Sequence, residues 1–342
     1  MALLASGYVG PPELTLGSAL TQWTADLPVI AFVVVLGGCY LAAVRKVRRS
    51  GRSWETGRGV AFCALGLGVL VIATMSWTGV YQNVLFYARA TQTVLLVLLV
   101  PLFLAMGKPL TLLGAAFPAA GRRTEAVVRS RAAVVLTFPA ITTLALVAVP
   151  MTMYFTSWYT AAFHSDAIRE LTYLVLMIPG YVFFWTLLRV DPVPRLYPYG
   201  VAMWITAAEV VGDAFFGIAI IADTNLIAGP YYHAVGYPWG PGLSASQVIG
   251  GGIIWILGDL VGLPFLAVQL IQMMREDQAE AAVIDAELDA RDAARASAAT
   301  AAAGDGDGDR DRESGTAASV PADDDRPWWE TDPRITERFG KG

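Results

Sequence analysis

The chain has 342 residues, 55% of them hydrophobic and only 15% charged. That composition excludes the two or three soluble domains its length would allow and makes the bilayer the solvent for most of it. The formal charge of -5 conceals two opposed parts: residues 1–274 carry fifteen basic and eleven acidic side chains, and residues 275–342 carry nine and eighteen.

The first basic residue is Arg45, so no positive segment precedes a short apolar run, and a removable signal peptide is not expected. A helix needs about twenty apolar residues to cross a hydrocarbon core roughly 30 Å thick, because each residue rises only about 1.5 Å. Seven stretches meet that demand: 27–44, 59–76, 84–106, 132–153, 168–188, 200–222 and 248–274. Prolines at 101, 139, 179 and 264 fall inside them, which membrane helices accommodate as kinks. Cys39 and Cys63 lie in apolar runs with no metal or disulfide spacing, as buried small apolar residues do.

Orientation follows from the short loops, because Lys and Arg resist translocation. Thirteen basic residues lie in the loops after the first, third and fifth spans, while 1–26, 77–83, 154–167 and 223–247 contain none. The expected topology is therefore multi-pass, with the N-terminus outside and the C-terminus cytoplasmic. Residues 1–26 form an outer segment and 27–274 the seven-helix transmembrane domain. An Ala-rich helical extension over 275–300 and a disordered acidic linker over 301–325 follow. At the end, 326–342 carries Trp328, Trp329, Ile335 and Phe339 as anchors of a candidate docking peptide. The fold class is an all-α bundle of seven transmembrane helices with a cytoplasmic helical extension and a disordered acidic tail.

Ionisable groups inside hydrocarbon are costly and therefore informative. Counting rises from the outer helix ends places Arg89, Asp213 and Asp259 in one layer about 10 to 16 Å deep, with Glu209 near 20 Å. Gln92 and Gln247 join this intramembrane polar cluster, with Arg169 and Glu170 at its mouth. Two readings stay open: an ion pair that holds the third, sixth and seventh helices in register, or the lining of a route or site for an ion or partner. Met151, Met153 and His164, all near the outer face, are the candidate soft ligands for copper. There is no nucleophile with a plausible base, no phosphate loop and no nucleic-acid patch beyond the basic loops, so no enzyme is expected.

Three segments carry a family resemblance: Gly180-Tyr-Val-Phe-Phe-Trp185 followed by Val190-Asp-Pro-Val-Pro-Arg195, then Asp213-Ala-Phe-Phe-Gly217, and Gly250-Gly-Gly-Ile-Ile-Trp255-Ile-Leu-Gly-Asp259. Together they resemble the CtaG family of cytochrome c oxidase assembly factors in its actinobacterial form. The resemblance implies a plasma-membrane protein that works with oxidase subunits or assembly intermediates, linked to copper delivery. Where the family carries histidines, this chain has Arg89 in the third span and Asp213 in the sixth, which suggests that an ion pair fills the place of a lost metal site. The alternatives are a small-solute or cation transporter using the same carboxylates, although no inverted repeat is evident, and a metal-free scaffold for oxidase subunits.

Overall fold

The computed structural model describes residues 8–195 and 197–304. The candidate docking peptide 326–342 and all but the first residues of the expected linker lie outside the described residues. The described chain is helical, without a strand. Six helices are long and apolar enough to cross a bilayer: Leu27–Arg49, Thr56–Tyr81, Phe86–Ala116, Asp166–Leu188, Gly200–Ala222 and the apolar part of Leu243–Ala298. The fourth expected crossing is a broken pair, Pro139–Tyr154 and Ser157–His164, bent by 68°. Its first member has 16 residues and spans only about 24 Å. Thr156 starts the second member by accepting a hydrogen bond from the Trp158 N–H. With the bent pair counted as one crossing, seven spans result.

Local chemistry explains where the helices begin, bend and stop. Asp26 accepts a hydrogen bond from Val29 N and Pro28 opens the first span, while Lys46, Arg48 and Arg49 in its last turn face the negative end of the helix dipole. The third span widens into a π-helical stretch over Leu95–Leu99 just before Pro101. Proline cannot donate to the carbonyl four residues back, that of Val97, and a π-bulge is one way a helix absorbs the loss. That carbonyl lies against Gly180 of the fifth span, where any Cβ would collide with it and with the Pro101 ring. Gly180 thus sets the distance between the third and fifth spans, and Phe183 and Phe184 on the same helix are buried beside it.

The seventh span approaches the sixth just as closely. A Cβ on Gly217 would come 2.6 Å from the Gly251 carbonyl oxygen and 2.8 Å from the Trp255 Cβ. Small residues at such crossings let membrane helices gain van der Waals contact that apolar burial cannot supply in lipid. The residues of the recognisable motifs are therefore packing residues first. Cys39 differs from expectation: it is exposed on the first span, because the helix turns that position away from its neighbours and toward the surface where lipid would lie.

Contacts between loops sort them into two sets. Tyr81 Oη donates to the Pro12 carbonyl and Tyr231 Oη to that of Asn83, and the Trp239 ring meets Tyr8 and Tyr81 edge to face. Phe163 stacks on Tyr231 at 4.1 Å. All four segments free of Lys and Arg are thus joined at one end of the bundle. At the other end, Tyr40 Oη donates to the Gly107 carbonyl, Lys46 lies over Phe117, and Asp191 accepts from Leu110 N and Thr111 N. The basic end and the aromatic end are the two sides that the charge pattern separates.

The charge pattern leads us to expect the basic end in the cytoplasm, so single cysteines placed within 223–247 should react with an impermeant thiol reagent in intact cells, and cysteines within 45–58 should not. The measurement is made with Cys39 and Cys63 replaced by alanine. Labelling confined to 45–58 would invert the topology.

Candidate functional site

Gln247 opens the seventh span at the aromatic end and has all its polar atoms engaged. Its Oε1 accepts from Ile227 N at 2.8 Å, and its Nε2 reaches the carbonyls of Ile220, Asp223 and Asn225 at 3.2 Å each. One amide thereby closes the C-terminus of the sixth span, where orphan carbonyls would otherwise be stranded. Gln92 does the same between the third and second spans, donating to the Ala73 carbonyl at 2.9 Å. Both are staples between neighbouring spans.

Deeper in the sixth span, Glu209 and Asp213 lie one turn apart, 2% and 8% exposed. Their carboxyls face each other, and Asp259 on the seventh span acts on both. Glycines on the seventh span make room for them: a Cβ on Gly258 would strike the Asp213 carboxylate, and one on Gly262 would sit 3.1 Å from Glu209 Oε2. One oxygen of Asp259 is buried without a partner. A turn further toward the basic end, Thr206 Oγ1 donates to Gln269 Oε1 at 3.0 Å, and Gln269 Nε2 is also unpartnered. Gln247, Asp213, Asp259, Glu209, Thr206 and Gln269 thus form a polar seam along the contact of the sixth and seventh spans. None of the ion pairs among the described residues includes any of these three carboxyls.

The structure does not bring Arg89 to these carboxylates. The third helix begins at Phe86, so Arg89 sits in its first turn, only about 5 Å from the helix end, while Asp213 lies nine residues, about 14 Å, inside the sixth. Long helical side chains also lean toward the helix N-terminus, which carries the guanidinium further toward the aromatic end. There it lies 4.9 Å from the ring centre of Tyr159 and 4.8 Å from that of Phe163. The expected Arg89–Asp213 ion pair is therefore replaced by two separate features, a cation among aromatic rings and a group of carboxyls. Arg169 and Glu170 do not stand at the mouth of this cluster. Arg169 pairs with Asp166 at 2.6 Å, Glu170 at 3.4 Å and Asp26 at 3.9 Å, joining the fifth span to the start of the first.

The candidate soft ligands are distributed over different surroundings. Met153 is buried and lines an apolar pocket of about 180 Å³ with Trp158, Thr172 and Leu176. Met151 is half-buried against the core. His164 is exposed, its Nδ1 2.8 Å from the Thr160 carbonyl and its ring edge-on to Tyr231. No group of three or more His, Cys, Asp or Glu side chains that could hold a metal occurs among the described residues. A copper site needs two or three soft donors converging on one point; of the three candidates Met153 is buried, Met151 half-buried and His164 exposed with its Nδ1 on a backbone carbonyl.

Sequence reasoning missed Asp191. It is 5% exposed and accepts from Leu110 N at 3.0 Å and from Thr111 N at 2.9 Å, with the Thr111 hydroxyl at 2.5 Å. It thereby caps from a distance the short helix Pro109–Ala116, whose own N-cap, Lys108, supplies no capping side chain. The signal was present: a proline starting a helix behind a residue that cannot cap it, and an aspartate isolated between Val190 and Pro192.

A protein-family model described as cytochrome c oxidase caa3 assembly factor (Caa3_CtaG) matches residues 38–276. Uncharacterized proteins of Mycobacterium bovis, Mycobacterium tuberculosis and Mycobacterium leprae are each 29% identical over 292 residues, which is 83% of this chain and 44% of theirs. The chain thus spans less than half the length of these curated relatives. No solved structure matches.

The separation of the two features gives an energetic expectation. Arg89→Leu and Asp213→Leu should destabilise the purified protein additively, to within about 0.5 kcal/mol, as sites without shared partners do. Glu209→Gln and Asp213→Asn, which alter carboxyls in contact, should be non-additive by roughly 0.5 to 3 kcal/mol. Denaturation of the four single variants and two doubles measures both terms, and strong coupling of Arg89 to Asp213 would refute the separation.

Proposed function

The chain belongs to the cytochrome c oxidase caa3 assembly factor family, and from that premise we propose that it acts as a non-catalytic scaffold that holds oxidase subunits or assembly intermediates in the plasma membrane. The observation that carries this reading is the extent of the family match, 38–276, which takes in nearly the whole helical bundle and stops where the seventh helix turns polar at Arg275 and Glu276. The glycine crossings and glutamine staples support it. They build a closely packed bundle whose aromatic end carries only short segments, suited to presenting helix surfaces to a partner rather than to turning over a substrate.

The carboxyl seam serves this role as a specificity device between the sixth and seventh spans, because buried polar contacts fix register more than they add stability. Copper enters as a separable question. Met151, Met153 and His164 are the candidate soft side chains near the aromatic end, and the hydrogen bond between His164 Nδ1 and the Thr160 carbonyl leaves Nε2 as the ring nitrogen through which His164 would act. Transport of a cation through the seam is a different class of activity, and it predicts a normal oxidase when the protein is absent.

Deletion of the gene should lower haem-copper oxidase absorbance and oxygen consumption, and added copper should not restore them. Rescue by copper would favour metal delivery, and an unchanged oxidase would refute the assembly role. In the complemented strain, truncation after residue 320, which removes Trp328 and Trp329, should leave membrane insertion intact but reduce recovery of oxidase components with the protein. Equal recovery would show that the end of the chain is not a docking element.

A further inference from the structure

Arg89 is 3% exposed, and its Nε and Nη1 are buried without a hydrogen-bond partner. None of the ion pairs among the described residues includes it. The faces of Tyr159 and Phe163 account for attraction to the cation, but ring faces supply no lone pair in the guanidinium plane where the N–H groups point. A buried guanidinium without a counter-charge is among the most unfavourable groups a membrane protein can carry.

The surroundings add positive potential and donors rather than acceptors. Arg89 lies in the first turn of its helix, where the dipole is positive, and that turn has no acidic residue and no capping side chain from Leu85. Tyr154, Tyr159 and Tyr232 are all close enough to feel the guanidinium. The Tyr154 hydroxyl meets Thr93 Oγ1 at 3.1 Å, and Thr93 in turn donates to the Arg89 carbonyl. Tyr159 and Tyr232 bond only to each other, at 2.8 Å between hydroxyl oxygens. One of that pair must donate to the other, which leaves one phenolic O–H with no acceptor.

An arginine with two unpartnered nitrogens, a spare phenol O–H and a positive helix end therefore lie together, and no carboxylate among the described residues pairs with the cation. We propose that Arg89, with Tyr159 and Tyr232, forms a binding site for a small monovalent anion, a halide or a compact carboxylate, entered from the aromatic end beneath the stacked Phe163 and Tyr231. Among the described residues no carboxyl pairs with Arg89, and Glu209, Asp213 and Asp259 act on one another along a different helix contact. Phe163, Tyr231 and the exposed His164, whose ring meets Tyr231 at 5.8 Å, close the site toward the outside. This inference is independent of the assembly role.

The test is the melting temperature of the purified full chain in detergent, with chloride or acetate titrated at constant ionic strength against a bulky anion. A ligand that binds only the folded state raises stability with the logarithm of its concentration above Kd. The expected result is a saturable rise of about 3 to 5 °C with at least one of the two anions, chloride alone marking a halide site and acetate a carboxylate site. Arg89→Gln should abolish the rise. Because that variant could fail to fold, Tyr159→Phe/Tyr232→Phe provides a second reading: it keeps the rings and removes the spare donor, and should weaken the apparent affinity about tenfold or more. No anion-dependent rise in the unaltered protein, or the same rise and affinity in every folded variant, would overturn the proposal.

Discussion

Hydrocarbon offers no hydrogen bonds, so each polar group that enters the bilayer must find its partner inside the protein. That constraint explains why the spans are helical, and it also explains the small polar contacts between helices. Threonines inside the spans turn back on their own helix, as Thr74 does to Leu70 and Thr186 to Val182. Gln92 and Gln247 reach across to carbonyls that a neighbouring helix leaves free at a bend or an end. Asp191 supplies from eighty residues away the cap that Lys108 cannot.

The same constraint gives meaning to glycine in this bundle. Without water there is no hydrophobic force between helices, and association depends on close contact and on polar pairs. Gly180 lets the fifth span lie against the carbonyl that Pro101 frees in the third, and Gly217 and Gly251 bring the sixth and seventh spans to backbone contact. Once two helices are that close, the carboxyls of Glu209 and Asp213 have room only because Gly258 and Gly262 have no side chain to oppose them. Packing and polarity are therefore one arrangement. Adding a methyl group at Gly258 would move a carboxylate as well as a helix.

Much of this was legible in the sequence because it rests on length and charge. The expected stretches 27–44, 168–188 and 200–222 fall on helices with the same cores, and the segments that the charge pattern puts on one side are those joined through Tyr81, Tyr231 and Trp239. The fourth crossing was harder: the expected stretch 132–153 ends at the bend, but its start is split, with a short helix Arg131–Leu136 preceding the helix that begins at Pro139 and bends by 68° into Ser157–His164. The partner of Arg89 was not legible at all. A count of helical rises gives depth from an assumed end, and a shift of a few residues at Phe86, together with the lean of a long side chain, moves a guanidinium by more than an ion pair's reach. Asp191 was missed for a related reason: its partners are two backbone N–H groups, which no pattern of side chains announces.

Separating the arginine from the carboxylates changes what each implies. Had Arg89 met Asp213, the two charges would have cancelled and the bundle would have been electrically complete. Held apart, they leave a positive locus at the aromatic end, framed by Tyr159, Phe163 and Tyr232, and an acidic one deeper between the sixth and seventh spans, with an unpartnered oxygen on Asp259 and an unpartnered amide on Gln269 further along the seam. Buried polar atoms without partners are rare where only stability is at stake, since an apolar side chain of similar size would serve better. Those on Arg89 lie in the third span and those on Ser246, Asp259 and Gln269 in the seventh, helices that the glycines of the 250–262 run bring against each other and against the sixth through contacts with Phe86, Ala90, Gly217 and Asp213. At the first locus the proposed anion would supply the missing counter-charge of Arg89. The bundle is thus mechanically closed by its glycines while its electrostatics are left open.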